Sequence, residues 1–128
     1  MTSPHPTEGE LAILRILWSK KAPMTVREVH EALTRTKDTA YTTVLKMLTI
    51  MSDKELVHRD DSERSHTYTP VHAEDVVQSS LLNDLMRRAF SGSALTLVQR
   101  ALDSDKTSTE ELDAISKLIA QAKAKRER

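Results

Sequence analysis

A mainly α fold with one small β-hairpin is predicted for this 128-residue chain by three observations. Apolar residues recur at helical spacing in three stretches before residue 52. Between Leu56 and Thr69 the pattern changes to two short extended segments around a polar tip. After His72 helical spacing returns three more times. All five histidines lie at or before His72, so residue type marks a boundary between residues 1–72 and 73–128, while charge does not, each part being near neutral.

The first helix is expected to begin at Thr7. Thr7 and Glu10 form the capping-box pair, in which each side chain satisfies a backbone N–H of the first turn. Its core face is expected to be Leu11, Leu14, Leu17 and Trp18. It ends in Ser19-Lys20-Lys21-Ala22-Pro23, with cations at the negative end of the helix dipole and a proline that stops continuation. A second capping box, Thr25 with Glu28, opens the second helix, whose stripe is Val26, Val29 and Leu33. Thr34 to Lys37 is a polar connector, and Asp38 or Thr39 is expected to cap the third helix.

That third helix has two faces. Val44, Met47, Leu48 and Met51 make an apolar stripe for the core, and the other face carries Thr42, Thr43, Lys46 and Thr49. Threonine is a poor helix former, but short hydroxyls and a lysine suit phosphates and base edges, so this helix is read as the one that enters a DNA groove. The extended segments Leu56–Arg59 and His66–Thr69 flank the tip Asp60–Ser65 and read as a hairpin. Two strands are not stable alone, so it leans on the helices through Leu56, Val57 and Tyr68. Three helices followed by a hairpin make a winged helix-turn-helix. Its wing carries Arg59, Arg64 and His66, opposed by Asp60, Asp61 and Glu63.

The C-terminal part is expected to hold three helices. Ala73 to Phe90 shows Val77, Leu81, Leu82, Leu85, Met86 and Phe90 as a wide apolar stripe, closed by Gly92 at the place of a C-cap glycine. A second, short helix is expected to bury Leu95, Val98 and Leu102. A third starts at Thr107–Glu110 or Ser108–Glu111, shows Leu112, Ile115, Leu118 and Ile119, and ends in a basic tail. About 55 residues in three helices bury only a modest fraction of their surface, so this is expected to be a dimerisation domain that pairs with its own copy. Folding back on the winged helix is the alternative.

Composition narrows the functions. The apolar run Leu11–Trp18 is interrupted by Arg15 and is far shorter than the roughly 20 residues a bilayer needs, so no membrane insertion is expected and the expected compartment is the cytoplasm. The chain has no cysteine, which removes disulfides, thiolate metal sites and cysteine nucleophiles. With 19 basic and 19 acidic residues, any DNA affinity must come from local placement. Ser65, His66 and Asp60 or Asp61 make no credible triad on a polar hairpin tip, and two glycines make no phosphate loop. No enzyme activity, cofactor or metal is expected, His58 and His66 across the wing lacking a carboxylate to complete a shell. Scarce aromatics argue against RNA stacking.

Several pieces together resemble the penicillinase-repressor family of bacterial transcription regulators. They are Glu10-Leu11 with Ile16-Leu17-Trp18, Thr25-Val26-Arg27-Glu28-Val29 with Ala32-Leu33, Ala40-Tyr41-Thr42-Thr43-Val44, and Tyr68-Thr69-Pro70. The resemblance implies a homodimeric repressor bound to double-stranded operator DNA of two-fold symmetry, controlling a β-lactam-resistance or related stress operon. Carried over by position, Thr42, Thr43 and Lys46 face the groove, with Leu45 at a variable groove-facing position, Thr25 and Tyr41 beside them and Arg64 on the wing. The dimer contacts would come from Leu81, Leu82, Leu85, Met86, Phe90, Val98, Leu102, Ile115, Leu118 and Ile119. The family usually has arginine at Ile50 and glycine at Glu55 and Glu63, so a backbone contact, the turn into the wing and the wing's approach to phosphate all differ here.

The resemblance also implies release through a membrane-bound sensor and a protease pathway. The family's cut at an Asn-Phe bond falls by spacing at Arg100-Ala101, where neither residue is kept. The junction from Ser91 to Leu95 is the expected alternative nick site. Copper release through paired cysteines is excluded by the absence of cysteine. A helical protein-interaction module that never enters a groove is the competing reading.

Overall fold

The structure is a computed structural model and describes residues 4–127. In chain order its elements are α1 (Glu8–Lys20), β1 (Met24–Thr25), α2 (Val26–Thr34), α3 (Tyr41–Asp53), β2 (Val57–Asp60), β3 (Thr67–Pro70), α4 (Glu74–Ala89), α5 (Ala94–Asp103) and α6 (Thr109–Arg126). They form two compact units, one ending at Asp84 and the other beginning at Leu85. The division falls inside α4, twelve residues later than the expected boundary at residue 72. Its cause is packing: Val77 is buried, the Trp18 indole N–H donates to the His72 carbonyl at 3.0 Å, and the Ser80 hydroxyl donates to the Pro4 carbonyl at 3.0 Å.

The first unit is a winged helix. Both capping boxes form, at Thr7–Glu10 and Thr25–Glu28. The core joins Ile13, Leu14 and Leu17 of α1 to Val29, Val44, Leu48, Met51, Val57 and Tyr68. Two expectations for α1 are corrected, because Leu11 and Trp18 are only half-buried while Ile13 is fully enclosed. Seven of the eight residues from Leu11 to Trp18 are apolar, so periodicity alone cannot select the inner face.

The cap of α3 is also corrected. Its N-cap is Ala40, with no side-chain hydrogen bond, and neither Asp38 nor Thr39 fills that role. The Thr39 hydroxyl instead donates to the Lys37 carbonyl at 3.0 Å. The hairpin is β2 paired antiparallel with β3, and a third strand unforeseen in the sequence joins it: β1 pairs with β3 through Met24↔Tyr68 and Thr25↔Thr67, giving the order β1-β3-β2. A two-residue strand has no periodicity to detect. Leu56, Val57 and Tyr68 are buried, as expected of a wing that leans on helices.

In the second unit, α5 and α6 are capped by Ser93 and Ser108, whose hydroxyls accept from the Thr96 and Glu111 amides. Neither helix buries a residue within the chain. Leu95, expected inside, is 80 % exposed, and Val98 and Leu102 are exposed as well. At the end of α4 the left-handed turn starts at Ser91 (φ 49°), one residue before Gly92 (φ 80°), and the Gly92 amide donates to the Met86 carbonyl at 2.9 Å. No helix among the described residues is long and apolar enough to cross a membrane.

Candidate nucleic-acid interface

Helix α3 sets the site. Val44, Leu48 and Met51 lock one side into the core, which leaves Thr42, Leu45, Lys46, Thr49 and Ile50 exposed on the outward stripe. Spacing of three and four residues puts these side chains on neighbouring turns of one face. The Thr49 hydroxyl donates to the Leu45 carbonyl at 2.9 Å. Its donor is thereby spent inside the helix, and Thr49 keeps only acceptor capacity on the stripe, beside Thr42 and Lys46.

Beside this stripe runs a groove of about 500 Å³ between the start of α2, the start of α3 and the wing. Thr25, Arg27, Tyr41, Leu45, Arg64 and His66 line it. Four of the seven expected DNA-contact residues, Thr25, Tyr41, Leu45 and Arg64, are thus brought together from three elements. Thr42 and Lys46 stand on the adjoining stripe. Thr43 is also exposed, one turn before Lys46, and lines a second hollow of about 550 Å³ with Gly9, Met47 and the turn from Lys37 to Ala40.

Two residues that sequence reasoning passed over hold or extend the groove. His30 Nε2 lies 2.7 Å from the Thr39 carbonyl; since that oxygen only accepts, Nε2 carries the proton. The same imidazole meets the Tyr41 ring edge-on, with centroids 5.6 Å apart and planes at 74°. One side chain of α2 therefore fixes both the entry to α3 and the Tyr41 ring. Nothing local in sequence marks His30 for this. Arg27 had a local signal, an exposed cation just past the Thr25 cap.

The wing's charges are sorted by Asp61. Arg59 pairs with it through Nε at 2.8 Å and Nη2 at 3.3 Å, and His66 Nδ1 lies 3.6 Å away. The Asp60 carboxylate accepts from the Ser62 amide at 2.9 Å, and that hydrogen bond lowers its pKa. Arg64 makes no ion pair among the described residues and is exposed at the wing tip. Ser65, His66, Asp60 and Asp61, weighed above as a triad, are all exposed. His58 lies opposite Thr69, roughly 10 Å along the strand from the level of His66, so the two imidazoles are not brought together. Among the described residues no cluster of three His, Asp or Glu is placed to hold a metal.

The penicillinase repressor family matches residues 6–121. The transcriptional regulator BlaI of Mycobacterium tuberculosis is 36 % identical over 116 residues, covering 90 % of this chain and 83 % of that protein. The penicillinase repressor of Bacillus licheniformis is 22 % identical over 120 residues, covering 94 % of this chain and 93 % of its own. Among solved structures, the DNA-binding domain of the repressor BlaI superposes with a TM-score of 0.51 at 24 % identity, over 59 % of this chain and 90 % of that one. The monomeric form of Bacillus licheniformis BlaI in complex with the blaP half-operator gives 0.50 at 23 %, with the same coverage. These two share the winged-helix fold. With a family match spanning nearly the whole length and a relative above one-third identity, the chain belongs to the penicillinase repressor family of transcriptional regulators.

Proposed function

We infer that the chain is a sequence-specific transcriptional repressor, acting in the cytoplasm as a homodimer on operator DNA of two-fold symmetry. One observation carries the reading: Thr25, Tyr41, Leu45 and Arg64 meet in a single groove beside the exposed Thr42 and Lys46. A winged helix places its recognition helix in the major groove and its wing on the backbone, which is the division of labour between α3 and Arg64. A relative of the same fold, BlaI of Bacillus licheniformis, binds a half-operator. Members of the family are regulators and not enzymes, and the chemistry here is binding alone.

The dimer reading is supported by the apolar residues that α4, α5 and α6 leave uncovered. Leu82, Leu85, Val98, Leu102, Leu118 and Ile119 are exposed, while Leu81, Met86, Phe90 and Ile115 are half-buried. A β-lactam-resistance or related stress operon is the regulated target that family membership suggests. For release, Arg100 and Ala101 lie within α5, whereas Ser91–Ser93 form the turn before it. Helical backbone resists a protease more than a turn does. Cutting between Ser91 and Leu95 in response to a sensor would therefore dissolve the dimer. Mass mapping of fragments under inducing conditions tests this, and a cut at Arg100-Ala101 would contradict it.

The experiment for DNA binding is a salt titration on duplex DNA, with Lys46→Ala alongside wild type. Affinity is expected to fall steeply with salt. Lys46→Ala should cost roughly 1–3 kcal/mol if Lys46 reads a base edge, with an unchanged circular dichroism spectrum. No duplex binding at low salt would favour a protein-interaction role for the same face.

A further inference from the structure

Before Val71, the large apolar side chains left exposed among the described residues are Tyr41, Leu45 and Ile50, at 45, 42 and 40 %. All three are on α3. The other large apolar residues of the winged helix are buried or half-buried, so its uncovered apolar surface is concentrated in the helix that also presents Thr42 and Lys46. Tyr41 is held against His30 and lines the groove floor beside the wing. Leu45 and Ile50 flank the outward stripe on its two sides, with Thr42, Lys46 and Thr49 between them. Because the Thr49 hydroxyl is bonded to the Leu45 carbonyl, the stripe has less hydrogen-bonding capacity than its threonines suggest.

The major groove offers one apolar feature, the C5-methyl of thymine, which projects beside the hydrogen-bonding edges of the bases. Resting on the DNA-binding reading above, we propose that Leu45 and Ile50 are specificity residues that read thymine methyl groups, so that this repressor recognises methyls as much as hydrogen bonds. Neither side chain has a polar atom, so neither distinguishes bases by donor and acceptor pattern. What each gains in a groove is the removal of apolar surface from water, and a methyl group is the partner that supplies it. Both residues are exposed, so shortening them leaves the core untouched.

The test uses the full chain. Duplexes that bind are enriched from a random-sequence pool, and the tightest is resynthesised with deoxyuridine in place of one thymidine at a time, which removes a single methyl and keeps base pairing. Wild type should lose about fourfold in affinity at one or more thymines of each half-site, the factor for one buried methyl group. Leu45→Ala and Ile50→Ala should each abolish that sensitivity at its own position while still binding the duplex. Insensitivity to every replacement, or unchanged sensitivity in both variants, overturns the inference and leaves DNA binding standing. Failure to enrich any duplex overturns the DNA-binding reading and this inference with it.

Discussion

Glu55 adopts φ 62°, in the left-handed region where a side chain crowds its own backbone. It is the residue after the C-cap Lys54 of α3. Its amide donates to the Ser52 carbonyl at 3.1 Å and the Leu56 amide to the Met51 carbonyl at 2.8 Å, the bond pair of a Schellman turn. The family's glycine at this position is therefore explained by geometry, and the turn into the wing forms here without it. Glu55→Gly should raise stability by about 1 kcal/mol in urea unfolding, with the fold unchanged. Glu10 is the other residue with a marked energetic role. It caps α1 and receives the Lys54 ammonium at 2.9 Å while only 5 % exposed. Burial is the largest single influence and raises its pKa, but the Thr7 amide and Lys54 together outweigh burial and hold it below the usual 4.5. A carboxylate depressed in the folded state stabilises fully above its unfolded pKa and loses that contribution as pH falls through the folded value. Glu10→Gln should thus cost about 1–2 kcal/mol at pH 7, and the gap to wild type should narrow as pH drops below 4.5. Equal gaps at pH 7 and pH 3 would deny Glu10 this role.

Among the elements, the wing is where charge pairing decides function. Of its two arginines, Arg59 is engaged by Asp61, which His66 also approaches, and Arg64 makes no ion pair among the described residues. Arg64→Ala should therefore weaken binding to all duplexes alike and lower the slope of log affinity against log salt by about 1. Asp61→Asn should act oppositely, releasing Arg59 and steepening the slope by about 1. Parallel titrations of the two variants check both signs, and an Asp61→Asn slope equal to wild type would mean that Arg59 does not reach phosphate. Helix α3 illustrates the same division between local and distant causes. Its stripe is local, but the chain entering it is held by the His30 imidazole on the Thr39 carbonyl, while no side chain caps its first turn.

For the whole molecule, the burial of Val77 and the hydrogen bonds from Trp18 to His72 and from Ser80 to Pro4, all within the first unit, set where the chain can be cut. A fragment ending at Asp84 should be a folded monomer that binds one half-site weakly. Joining two such modules supplies effective concentration and no new DNA contact. A fragment ending at Val71 loses the His72 carbonyl and Val77, and should be less stable than the longer one by roughly 2–4 kcal/mol. Sedimentation and thermal unfolding of the two fragments check this; a dimer of residues 1–84 would mean that the first unit, which keeps Leu81 and Leu82, pairs without the second.

By itself the sequence determined the six helices, the hairpin and their order. Capping boxes act over three residues, apolar stripes over four, and a polar tip over six, so Thr7–Glu10, Thr25–Glu28, the Val44–Met51 stripe and the hairpin were all legible without knowing what lay nearby in space. The expected contact residues were legible in part, since Thr42, Thr43 and Lys46 are polar where the stripe is not and Arg64 is a cation on the wing, while Thr25, Tyr41 and Leu45 came from family resemblance. Tertiary structure alone decided that Thr25, Tyr41, Leu45 and Arg64 share one groove, that β1 joins the sheet, that Glu10 meets Lys54 and that α4 is divided at Asp84. Each of those depends on elements whose meeting residues lie 16 or more positions apart, or on how two faces compete for one core, and such pairings leave no periodic trace in a single chain.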